Sequence, residues 1–261
     1  EIRPDLDEGI DRKVLAQLRA RFMALNEGRM ARAVEGLTPR QQSVLTLLPL
    51  FFHVNHPLLP GYVSGSTPAG LSNFEPDAQA LTEAQRMTRS FSYKPRHGNP
   101  PRPIHGLFLM GSLGTLAQAD QSDMDVWVCH APDLSETELA ELRKKCQLLE
   151  AWALTMGAEA HFFLIEPTRF VLGERDTQLS SDDCGTTQHY LLLDEFYRTA
   201  IWLAGRTPIW WLVPVYEETR YAEFTHTLIS KRFIRADETL DLGHLARIPL
   251  GEFIGAGFEA A

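Results

Sequence analysis

The sequence predicts an α/β protein, a mixed sheet with flanking helices behind a mainly helical N-terminal segment. Three observations lead there. Short apolar runs bounded by turn residues recur at 105–110, 124–129 and 158–165, the pattern of buried strands. A capped helical stretch at 135–155 separates the last two of them. The first third of the chain instead carries apolar residues at helical spacing.

Taken in order, residues 11–23 place Val14, Leu15, Leu18, Phe22 and Met23 on one face of a helix. Thr38 followed by Pro39 reads as an N-cap and first helical position, opening a helix through Phe52. His53, His56 and nearby prolines form a loop. A zinc reading of this histidine pair is weak, because no cysteine joins it and Pro57 favours a turn. Residues 72–87 hold another helix, and the Pro-rich stretch 94–103 connects a segment at 1–103 to a core at 104–261. In the core, strands at 105–110 and 124–129 are joined by a polar loop. Ser135 and Glu138 form a capping box for a helix through Thr155, which Gly157 ends. A strand at 158–165 follows, then a polar surface loop at 166–187 and a helix from His189 to Ala204 closed by Gly205. Residues 209–213, between Pro208 and Pro214, read as a further strand, and helices with an irregular tail complete the chain. Trp202, Trp210 and Trp211 are read as core residues rather than base-stacking platforms.

Bulk properties narrow the function. The chain has 261 residues, 44% hydrophobic and 23% charged, with a net charge of −9. A polynucleotide partner calls for a basic stripe, and the basic groups near Arg12, Arg143 and Lys231 are mixed with acids or lie on solvated faces. A small-molecule substrate fits better than nucleic acid. No run is long and apolar enough to span a membrane, and no signal peptide is visible. Three cysteines, Cys129, Cys146 and Cys184, lack metal-like spacing and suit a reduced, cytoplasmic setting. Walker A, dinucleotide-binding and nucleophile-elbow patterns are all missing.

The chemistry concentrates at 107–129. A strand ends in Gly111 and Ser112, and the next opens with Asp123, Met124 and Asp125. Residues two apart on a strand share a face, so the two carboxylates stand together and repel unless a cation sits between them. Hard divalent ions, Mg²⁺ or Mn²⁺, suit such oxygen donors. The Gly-Ser turn offers N–H groups and a hydroxyl to a phosphate. Glu159, the one acid of the strand at 158–165, is the candidate third ligand, against a solvated strand-edge role.

A Gly-Ser turn, a D-x-D strand and a later acid-bearing strand resemble the nucleotidyltransferase superfamily that includes DNA polymerase beta. Longer runs resemble one branch of it, the class I adenylate cyclases of proteobacteria. These runs lie at 56–62, 110–112, 121–130, 146–152, 162–165, 183–189 and 191–200. The resemblance implies a nucleotidyltransferase-like core that converts ATP to cyclic AMP and pyrophosphate. It implies two Mg²⁺ or Mn²⁺ ions on Asp123, Asp125 and Glu159, with Gly111 and Ser112 on the phosphates. Ser122, Thr186, Thr187, Gln188, His189 and Arg198 become candidate substrate-binding residues. For Thr186 and Thr187 helix capping is as good a reading as phosphate binding, and Asp194, Glu195 and Arg198 also fit a plain helical charge network. Residues 251–255 begin like a family signature and then diverge, which suggests the N-terminal catalytic part of a longer protein, with regulatory partners acting through the remainder. Transfer of a nucleotidyl group to a separate acceptor, or nucleotide binding without catalysis, are the alternatives.

Overall fold

The computed structural model describes residues 12–95, 98, 100–115, 117–119, 122–173 and 185–245, with the main chain alone at 185–188. Helix α1 spans Arg12–Glu35, a full turn-series longer than its expected 11–23. Helix α2 spans Pro39–His53 and starts as expected from Thr38, whose hydroxyl takes the Gln41 N–H while Gln41 Oε1 takes the Thr38 N–H. The next helix falls within the expected stretch 72–87 and fills its C-terminal part. Asp77 caps α3, Ala78–Met87, by accepting the Ala80 N–H at 2.7 Å. Upstream, Leu71 bridges Ile104, and Asn73 takes a left-handed φ of 48°, which a helix cannot continue through.

The central sheet contains β1 (Ile104–Met110), β2 (Met124–His130), β3 (Ala160–Ile165) and β4 (Ile201–Gly205), in the order β3-β2-β1-β4. β1 runs antiparallel to β2 and β4, while β2 and β3 are parallel. A parallel pair needs a crossover, and α4 (Glu136–Thr155) supplies it, capped by Ser135 and Glu138 as the sequence predicts. One sheet face sends Leu107, Leu109, Val126, Val128 and Phe162 into a core shared with Leu47, Leu48 and Phe51 of α2 and with Leu142 and Leu149 of α4. Strands and N-terminal helices thus bury a common apolar layer. The other face, with Phe108, Met110, Trp127 and Ile165, is covered by α6 (Gly185–Thr199) through Leu193, Phe196 and Tyr197. Phe196 stacks on Trp127, with ring centres 5.3 Å apart.

Three expectations for the C-terminal part are corrected. The helix expected over 189–204 stops at Thr199, and the apolar residues after it form β4. Their composition suits either state, and the open edge of β1 decides: Ile201 pairs with Leu109 and Trp202 with Phe108. The strand expected at 209–213 is instead a 3₁₀ helix, Ile209–Leu212. Pro208 and Pro214 flank it and remove the ladder donors a strand would need. Trp211 is buried there, while Trp202 and Trp210 are partly buried against the α6 layer. The surface loop expected over 166–187 contains a short helix, α5 (Pro167–Val171), capped by the Glu166 carboxylate. Two-residue strands β5 (Thr207–Pro208) and β6 (Thr239–Leu240) pair beside α7, Tyr221–Ser230. Cys129 and Cys146 are buried free thiols; Cys184 and residues 251–255 lie outside the described residues.

Helical side chains close both outer strands. Asn26 of α1 accepts the Trp202 N–H at 2.7 Å and donates to the Trp202 carbonyl at 3.0 Å, along β4. Glu150 of α4 accepts the Phe162 N–H of β3 at 3.2 Å. No described helix is long and apolar enough to cross a membrane.

Candidate active site

The site lies where β1 ends and β2 begins. Met110 pairs with Asp125, so the turn that follows β1 folds over the start of β2. Gly111 has a φ of 84°, in the left-handed region that favours glycine. A Cβ there would stand 3.3 Å from Asp125 Oδ2, so the carboxylate lies just beyond the space a side chain would fill. Ser112 and Ser122, at the two ends of the connecting loop, share a hydroxyl–hydroxyl bond of 2.7 Å. Ser122 Oγ also accepts the Ala119 N–H, and the Ser112 carbonyl accepts from the Thr115 N–H and hydroxyl.

Asp123 immediately precedes β2, and Asp125 is the second residue of that strand. The Asp125 carboxyl is held above its ordinary value, first by burial and then by the charge of Asp123. Glu195 of α6 pushes in the same direction and His161 opposes both. A group so placed favours either a proton or a cation, which is what a divalent ion's oxygen donors need.

The third acid is less straightforward. Glu159 stands just before β3, where its carbonyl accepts the Met124 N–H at 2.8 Å. Its side chain is 68% exposed, with the carboxylate 3.5 Å from His161 Nε2. His161 in turn is the register partner of Asp125. Among the described residues, no three His, Cys, Asp or Glu side chains come together closely enough to hold a metal ion. The expected trio Asp123, Asp125 and Glu159 is therefore a pair with a neighbour turned to His161.

Helix α6 carries the remaining candidates. Thr186, Thr187 and Gln188 lie in its first turn, and their side chains are outside what is described. Thr186 is nine residues before Glu195, about 13 Å along a helix axis. His189 is buried against Phe170, ring centres 4.6 Å apart. Arg198 is exposed and ion-paired to Asp194 at 2.7 Å, an ordinary i, i+4 pair. The histidines of the weak zinc reading serve the loop: His53 Nδ1 accepts the Leu71 N–H and His56 Nδ1 the Leu58 N–H, each at 3.2 Å.

No local pattern in the sequence signals that α1 reaches this site. Arg29 donates to the carbonyls of Arg198 and Ala200, at the end of α6. Arg32 Nε donates to the Gly114 carbonyl at 3.0 Å, and Gln118 Nε2 to the Ala33 carbonyl at 3.2 Å. Gly114 is pressed so closely to α1 that a Cβ would lie 2.7 Å from the Arg29 carbonyl oxygen. These contacts join residues 82 or more positions apart, beyond any local sequence signal.

Fold and site together define an α/β protein in which the start of the second strand and the residue before it present two carboxylates beside a small-residue turn. The family model described as the adenylate cyclase NT domain matches residues 14–211. The chain belongs to this family, the N-terminal domain of class I adenylate cyclases. It is 40% identical over 242 residues to an adenylate cyclase of Salmonella typhimurium, covering 92% of this chain and 28% of that protein. An adenylate cyclase of Escherichia coli K12 is 41% identical over 245 residues, and one of Proteus mirabilis 40% over 241, with the same coverage. The chain thus spans little more than a quarter of these relatives. No solved structure matches.

Proposed function

We propose that this chain carries the catalytic site of an adenylate cyclase, converting ATP to 3′,5′-cyclic AMP and pyrophosphate. The observation that carries the proposal is the close approach of the Asp125 carboxylate to the Gly111 turn, in a chain 40–41% identical to proteins named adenylate cyclase. The donor chemistry fits hard divalent ions: two carboxylates two positions apart, one of them half-buried and crowded by the other. Asp123 and Asp125 would hold Mg²⁺ or Mn²⁺, two ions in the full mechanism. Bound there, such ions acidify the ribose 3′-hydroxyl and neutralise triphosphate charge.

The chain's own part is positioning. Gly111 lets a phosphate approach the main-chain N–H groups, and the Ser112 hydroxyl donates to a phosphate oxygen. The 3′-oxygen loses its proton and bonds to the α-phosphorus, while the bridging oxygen leaves with pyrophosphate. The exposed Glu159–His161 pair takes up the released proton. Incubation of the chain with ATP and Mg²⁺ alone is expected to yield cyclic AMP, and Asp123→Asn or Asp125→Asn to abolish it with the fold intact. Nucleotide transfer to an added acceptor without cyclic AMP, or near-normal turnover by either variant, would refute the proposal.

A further inference from the structure

We propose that Arg32, supplied by α1 from outside the sheet, binds the terminal phosphates of the substrate at the Gly111–Ser112 turn; this rests on the nucleotide reading above. The sequence poses the problem. From Ile104 to Leu142, a stretch covering β1, the turn and β2, there is no lysine or arginine. A triphosphate brings about four negative charges to a place whose own side chains are two carboxylates and neutral hydroxyls. Cationic side chains must come from another element.

Three arginines stand near enough to be considered. Arg198 has its charge answered by the Asp194 carboxylate, 2.7 Å from its Nε, whereas a neutral carbonyl leaves an arginine's charge unanswered. Arg29 spends its guanidinium on the Ala200 and Arg198 carbonyls, where it caps the C-terminal end of α6. Arg32 differs. It is exposed, and Nε alone is engaged, on the Gly114 carbonyl at 3.0 Å. Gly114 is three residues past Gly111, and its N–H already goes to Gln118 Oε1 at 2.7 Å. The anchor fixes the guanidinium plane beside the turn and leaves its two terminal nitrogens, which make no bond among the described residues, to an incoming anion. Two parallel N–H groups match two oxygens of one phosphate, and a head already held at Nε loses little freedom on binding.

Side-chain geometry provides a clean test. In glutamine the amide nitrogen occupies the chain position of arginine Nε, so Arg32→Gln can keep the bond to Gly114 while deleting the charged head. Lysine does the reverse: it keeps the charge and places a methylene where Nε was. Calorimetric titration of this chain with MgATP, magnesium tripolyphosphate and AMP is expected to show Arg32→Gln weakening the first two about tenfold or more. AMP affinity and Tm should hold. Arg32→Lys should recover part of the polyphosphate affinity while lowering Tm. Unchanged polyphosphate affinity in Arg32→Gln, or an equal loss for AMP, overturns the assignment of Arg32 alone. A wild-type chain that binds neither MgATP nor tripolyphosphate overturns the nucleotide reading, and this inference with it.

Discussion

Gly111→Ala separates two costs that the turn combines. Its φ of 84° is one that L-residues with a Cβ rarely adopt, at a cost of about 1–2 kcal/mol. The new methyl would also stand 3.3 Å from Asp125 Oδ2, close enough to displace the carboxylate by a few tenths of an ångström. Gly157→Ala is the matched reference. Gly157 has a φ of 80° and nothing within 4 Å of its would-be Cβ, so it reports the backbone cost alone. For a chain of this size each kcal/mol moves Tm by about 2–4 °C, so both variants should lose about 2–8 °C in thermal unfolding. Only Gly111→Ala should also lose cyclic AMP formation, because productive geometry at a carboxylate pair tolerates little displacement. Full turnover by Gly111→Ala, or an equal loss of activity in Gly157→Ala, would refute the claim that the turn positions Asp125.

Asp125→Asn tests the electrostatics directly. The folded carboxyl is raised above its ordinary 3.8, so its ionised form costs stability that is absent at lower pH and grows as pH rises through the raised value. The Tm advantage of the variant should therefore appear between about pH 4 and neutrality, and a variant less stable at pH 7 would contradict this. Ser112→Ala should weaken MgATP binding by about 1.5–3 kcal/mol in calorimetry, whereas unchanged affinity would make the Ser112–Ser122 bond purely structural. Lys145 is 1% exposed, its amine 3.4 Å from the Gly61 carbonyl, and burial lowers it from 10.5 to about 8. The burden of its charge is full below pH 8 and relieved as pH rises toward 10.5, so Lys145→Met should raise Tm at pH 7 by an amount that shrinks above pH 8.

What could be read from the chain itself was local. Thr38, Ser135 and Glu138 announce helix starts because a cap needs residues only three apart. β1, β2 and β3 were legible because each is a short apolar run between turn residues, and the acid pair because alternation on a strand is itself local. β4 was not, since Ile201–Gly205 follows a helix without a strong breaker and becomes a strand only by pairing with β1, some ninety residues earlier. The same holds for the site's outer parts. Glu195 reaches the neighbourhood of Asp125, and Arg32 the Gly114 carbonyl, only through tertiary packing. Glu159 shows the opposite case: its place in sequence is suggestive, but its side chain turns outward to His161.

The side chains that close the sheet's margins bear on how this segment behaves apart from the rest of a longer protein. A four-stranded sheet has two borders where a stranger's backbone could dock and propagate. Here a newcomer would have to evict Asn26 from one border, breaking two bonds at once, and a carboxylate from the other. Both guards are borne by helices packed against the core, α1 through Ala33 and α4 through Leu142 and Leu149. Among the described residues the sheet ends at four strands, with a side chain set against self-templated assembly at each border.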